Sequence, residues 1–167
     1  MDRIRQAQAE VFSAAMEKVP ARLHSLLGCD LFCGDPLFAG LWRPEWQLTS
    51  TVDGRSYHDT ACVAFPYHMR DKRLTMVLHK DDTSVYTVLH ELGHVLHWNL
   101  FERMGESWKG FPGMVPVSRY AVGSWWESFA EAFVAWFYSP RERDENDYWP
   151  WGHVRSNDEF FDRLLLA

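Results

Sequence analysis

His90-Glu91-Leu92-Gly93-His94 is the stretch that decides how this chain is read. Two histidines four residues apart stand one above the other on a single helical face. Both imidazoles can therefore reach one metal ion, at a zinc–nitrogen distance of about 2.0–2.1 Å. Glu91, directly after the first histidine, is placed to take a proton from a metal-bound water. A surface helix carrying these residues by accident is the plain alternative, and the flanking sequence argues against it.

Leu74-Thr75-Met76-Val77-Leu78-His79, upstream, is apolar and β-branched and predicts a strand. Thr83 or Ser84 can cap the next helix. Val85, Val88, Leu89, Leu92, Val95 and Leu96 then recur at three- and four-residue steps, the stripe of a helix with one buried side. His90 and His94 flank that stripe. Strand followed by half-buried motif helix is an order seen in many zinc peptidases, where the strand forms the edge on which an extended substrate lies.

A catalytic zinc needs a third protein ligand and an open fourth position. The segment Trp125 to Phe137 predicts a strongly apolar helix, with Ser124 as its cap and Pro140 as its stop. Glu127 and Glu131 are its only charges, four residues apart on one face. Glutamates are seldom buried unless paired or bound to metal. These two either meet solvent or serve the site, Glu127 as third ligand and Glu131 as acceptor for the second N–H of a ligating histidine. Spacing alone also allows the two roles to be exchanged.

The combination resembles the gluzincin metallopeptidases, in which a helix bearing the histidine-glutamate-x-x-histidine motif is followed by one carrying the glutamate ligand. Glu127-Ser128-Phe129-Ala130-Glu131-Ala132-Phe133 is similar, more narrowly, to the catalytic domain family of anthrax lethal factor and the proline-proline endopeptidases. Asn157 to Leu165 resembles the closing helix of that family. The similarity runs from about Leu74 to the C-terminus. It implies that His90, His94 and Glu127 bind zinc, that Glu91 is the general base and that Glu131 supports a ligating histidine by accepting its other N–H. It also implies a role for Tyr120, seven residues before Glu127, as the hydrogen-bond donor to the oxyanion. The expected reaction is hydrolysis of a peptide bond by metal-activated water.

Departures from related patterns are informative. A metzincin needs a further histidine where Leu100 stands, so that family is excluded. No paired Cys-x-x-Cys exists, which disfavours peptidase-like proteins built on a cysteine zinc ribbon. His97, one turn beyond His94, is read as a half-buried structural residue rather than a ligand.

Composition agrees with a folded enzyme. The 167 residues are 47% hydrophobic and 16% aromatic, with nine tryptophans, enough for a core and against disorder. Trp98, Trp108, Trp125 and Trp126 suit pocket walls and core packing equally well. The net charge of −6 and the lack of a basic patch beyond Arg70-Asp71-Lys72-Arg73 give no sign of a nucleic-acid partner. No run approaches the eighteen or so apolar residues of a membrane span. The amino-terminal stretch lacks the apolar core of a secretory signal, so the expectation is a cytoplasmic protein or one delivered without a classical signal peptide. Cys29, Cys33 and Cys62 make an odd count, favouring free thiols; Cys29 and Cys33 are read as small core residues.

The expected fold is α+β and zincin-like, a single domain over residues 1–167. A helical and sheet lobe spans about 1–99, with a small mixed sheet packed on the active-site helix. A mainly helical lobe follows over about 100–167. Asp2 to Leu27 predicts one or two helices broken at Pro20, and Thr60 to Phe65 is the best further strand. Gly105 to Gly123 predicts a loop beside the site, and Arg141 to Asp147 a solvated turn. The expected partner is a protein or peptide substrate. The other class that the sequence leaves open is a catalytically silent zincin-fold module in a larger assembly.

Overall fold

The structure, a computed structural model, describes residues 3–33, 62–68, 73–78, 83–104, 113–138 and 154–166. It is a mainly helical α+β arrangement: α1 (Arg3–Lys18), a 3₁₀ turn (Ala21–Leu26), β1 (Asp30–Cys33), β2 (Cys62–His68), β3 (Arg73–Leu78), α2 (Val85–Met104), α3 (Trp125–Phe137) and α4 (Arg155–Leu166). The runs 141–147 and 105–112, Trp108, Pro140 and the turn before Arg73 lie outside the described residues.

Helix boundaries follow local chemistry. The alanine-rich α1 stops before Pro20, whose ring cannot continue a helix. The His24 Nε2 lies 3.1 Å from the Met16 carbonyl oxygen and 3.0 Å from that of Val19, so its N–H can serve carbonyls left open where α1 ends. For α2 the cap is Ser84, whose Oγ accepts the Thr87 N–H at 3.1 Å. Ser124 caps α3 in the same way, accepting the Glu127 N–H at 3.3 Å. It follows Gly123, where a φ of +86° takes the chain into a region that side-chain-bearing residues rarely enter.

The sheet has the order β1-β3-β2, with β1 parallel and β2 antiparallel to β3. This corrects the expectation for the strand before the motif helix: β3 is the central strand, paired on both sides, not an edge. Its residues explain the placement. Met76, Val77 and Leu78 are fully buried, so side chains pointing both ways along the strand are covered. β2 is an edge among the described strands, and it carries Pro66 within an irregularity in the pairing between Phe65 and His68. A proline lacks the N–H that a central ladder demands and is tolerated at an edge or bulge.

The core lies between sheet and helices. Val88, Leu89, Leu92, Val95 and Leu96 of α2 are fully buried, confirming the stripe, and they join Leu23, Phe133 of α3 and Phe161 of α4 in one cluster. Phe161 packs edge-on to Phe133 and stacks on Trp136, whose Nε1–H donates to Asp162 at 2.9 Å. At the far end of α4, Arg22 donates to the Leu165 carbonyl at 2.9 Å, which ties the 3₁₀ turn to α4. Cys29 carries a free thiol, and both it and Cys33 pack against this core. Burial, with the Asp30 charge adding to it, pushes the Cys29 thiol up to about 11, which keeps it protonated and poorly reactive. Among the described residues no helix is long and apolar enough to cross a membrane.

Candidate metal centre

Two helices build the site. α2 and α3 meet where Gly93 faces the backbone of Ala130, and this contact sets one turn of α2 against the turn of α3 that carries both glutamates. Three electron-pair donors converge there. The His90 Nε2 lies 2.9 Å from the Glu127 Oε2, and the His94 Nε2 lies 3.2 Å from His90 Nε2 and 3.3 Å from the same Glu127 oxygen. His90, His94 and Glu127 thus form the one group of potential metal ligands found among the described residues.

The dimensions suit a metal. Tetrahedral bonds of about 2.0–2.1 Å place ligand atoms roughly 3.3 Å apart, close to all three separations. Two imidazole lone pairs and a carboxylate oxygen repel one another unless a proton or a metal cation lies between them. Electrostatics points the same way. Burial alone pushes His90 down, but hydrogen bonds and charges from Glu127 and Glu131 outweigh it, and its affinity for a proton rises well above the ordinary histidine value. Glu127 is disfavoured by burial, yet the hydrogen bonds and charges of the two histidines hold its carboxyl well below the usual range. The site therefore holds a carboxylate and attracts positive charge. Imidazole, imidazole and carboxylate is a donor set that zinc and other divalent transition metals accept.

Glu131 stands outside this triangle. Its Oε1 lies 2.7 Å from His90 Nδ1, and a carboxylate only accepts, so Nδ1 carries the proton. The Nε2 lone pair of neutral His90 is then turned toward Glu127 and His94. Only 2% of Glu131 is exposed. Burial penalises its charge, but the His90 bond and charge, followed by the hydroxyls of Tyr86 and Ser118, prevail and lower its pKa.

The remaining predicted residues are distributed around the triangle. Glu91 lies on α2 between the two histidines and is partly exposed. Tyr120 lies in the turn before α3, with its ring centroid 5.8 Å from that of His90 in an edge-on arrangement. His97 is not half-buried but wholly enclosed, stacked on Phe129 and edge-on to Trp125 and Trp126. It is absent from the ligand group, and burial together with the nearby His94 lowers its pKa to about 3. Trp98 stacks on Trp126 in the same aromatic cluster, while Trp125 is 48% exposed.

Three residues were not singled out in the sequence. Gly93 reads as a filler within the motif, and nothing local announces the approach of Ala130. Tyr86 donates to Glu131 at 2.6 Å; its position one turn before His90, on the same face, was the available signal. Asn157 of α4 holds Val115 at both backbone groups, donating to its carbonyl at 2.9 Å and accepting its N–H at 3.0 Å. That bracket anchors the segment leading into the Tyr120 turn.

Compared with models of known families, with curated proteins and with solved structures, the chain matches none of them.

Proposed function

We propose that the chain is a zinc-dependent endopeptidase of gluzincin type, with His90, His94 and Glu127 as ligands. The observation that carries this reading is the triangle of three donors at separations of 2.9, 3.2 and 3.3 Å, backed by Glu131 on His90 Nδ1. A donor set alone would equally suit a structural metal. A structural zinc site has four protein ligands as a rule, whereas three ligands beside a glutamate and a tyrosine leave a place for chemistry.

Zinc, when bound, acts as a Lewis acid and makes water nucleophilic near neutral pH. The chain's own groups supply the rest. Glu91 takes the proton of the attacking water and returns it to the leaving amine. Tyr120 donates a hydrogen bond to the developing oxyanion. Glu131 keeps His90 in the tautomer that presents Nε2. β2, antiparallel and an edge among the described strands, is suited to receive an extended peptide as a further strand. This transfers the substrate-side edge from β3 to β2.

The test is metal analysis of the purified protein together with cleavage of a peptide library by wild type and Glu91→Ala. The expected outcome is about one zinc per chain in both proteins and cleavage by wild type alone. Zinc bound by both with no peptide cut by either would favour the silent module.

A further inference from the structure

The Glu131 oxygen that accepts from His90 Nδ1 at 2.7 Å also accepts from the Tyr86 hydroxyl at 2.6 Å. Both donors belong to α2, one turn apart, and the acceptor belongs to α3. One buried carboxylate oxygen is therefore fixed from two points on the opposite helix. Held by the histidine and the Ser118 hydroxyl, a glutamate with three rotatable bonds still has freedom to turn its carboxylate and carry the imidazole with it. A second donor on the same oxygen removes that freedom, because Tyr86 is partly buried and packed against the core. The short distance is that of a charge-assisted O–H···O⁻ bond, about 2.5–2.7 Å, and such bonds are among the stronger ones.

From this geometry we infer that Tyr86 is a positioning residue for the metal centre, acting through Glu131 on the orientation of the His90 ring. The inference rests on the zinc reading of His90, His94 and Glu127. It goes beyond that reading because Tyr86 is neither a ligand nor a direct neighbour of one through any hydrogen bond described above. Two effects of the hydroxyl oppose each other. It draws charge from Glu131, which makes His90 a slightly weaker donor to metal, and it holds the ring in the aimed position. Positioning dominates, because a ligand set with separations near 3.3 Å tolerates little rotation of any one ring.

The test combines a metal measurement with one that needs no metal. Zinc affinity is measured by competition with a chromophoric chelator for wild type, Tyr86→Phe, Glu131→Ala and the double variant. Removing a partner outside the ligand shell weakens zinc by about 10–100-fold. Tyr86→Phe, one bond further out, is expected to weaken it by about three- to tenfold. In the Glu131→Ala background the same change should add nothing. Equal losses in both backgrounds, or no loss in Tyr86→Phe, would overturn the inference. The second measurement follows the His90 Nδ1–H proton of the metal-free protein by NMR. Wild type should show a downfield, slowly exchanging resonance, and Tyr86→Phe should shift it and speed its exchange. An unchanged resonance overturns the inference, even if Glu131→Ala fails to fold. Should wild type bind no zinc, the metal reading falls, while the NMR comparison still decides the role of Tyr86.

Discussion

Gly93 on α2 faces Ala130 on α3 so closely that a methyl group at Gly93 would stand 2.7 Å from the Ala130 Cα and 3.1 Å from its carbonyl oxygen. These are backbone atoms, which cannot swing aside as the end of a side chain can. Ala130 lies between Glu127 and Glu131, so any widening of this crossing moves both carboxylates away from the histidines. Gly93→Ala should gain about 1 kcal/mol of helix propensity and lose more, since overpacking typically costs about 1–3 kcal/mol. The expected outcome is a lower midpoint of denaturant unfolding together with zinc affinity reduced by about tenfold or more. A stabilised Gly93→Ala protein with intact zinc binding would show that the helices do not cross at this contact.

Glu127 and Glu131 should differ in what they do for the metal. Glu127 shares the triangle with His90 and His94, while Glu131 meets the opposite nitrogen of His90. Glu127→Gln should therefore weaken zinc retention more than Glu131→Gln, which should lose about 10–100-fold. Chelator competition on the three proteins measures the order. A larger loss in Glu131→Gln would exchange the two roles.

His97 makes the fold sensitive to acid. Its pKa falls from an ordinary 6.5 to about 3 within the aromatic enclosure, so the folded protein excludes a proton that the unfolded chain accepts. Its contribution is complete above pH 6.5 and is lost progressively as pH falls from there toward 3. His97→Phe keeps an aromatic ring against Phe129 and removes the titration. Between about pH 7 and pH 5, metal-free wild type should lose roughly 2 kcal/mol more stability than this variant. Unfolding curves at the two pH values give the difference directly; parallel losses would mean that His97 takes its proton without cost.

Asn157 links the closing helix to the segment that leads to Tyr120. Asn157→Ala removes both bonds to the Val115 backbone, which can turn partly to water because Val115 is half exposed. The expected loss of stability is about 1–2 kcal/mol. Zinc affinity should be nearly unchanged while kcat/KM falls, since no ligand lies on that segment. Asn157→Asp, which can still accept the Val115 N–H but not donate to its carbonyl, should fall between. A loss of zinc affinity equal to that of Glu131→Gln would show that the bracket supports the ligands themselves.

Much of this was legible in the sequence because it rests on local periodicity. The apolar stripe from Val88 to Leu96, the capping Ser84 and Ser124 and the four-residue spacings of His90/His94 and Glu127/Glu131 each arise from one helix and its own geometry. Chain order alone placed a strand before α2, but not where it sits in the sheet. Strand order depends on partners distant in sequence, and β1 reaches β3 only by a parallel crossover in which β2 intervenes along the chain. The same limit applied to His97, whose enclosure is assembled largely from α3.

The sequence by itself determined the donor types, their helical faces and the presence of two acidic residues on an otherwise apolar helix. Only the tertiary structure decided which glutamate meets which nitrogen, because that depends on how close α2 and α3 approach. Gly93 and Ala130 set that approach, and Tyr86 and His90 then hold one oxygen of Glu131 between the helices.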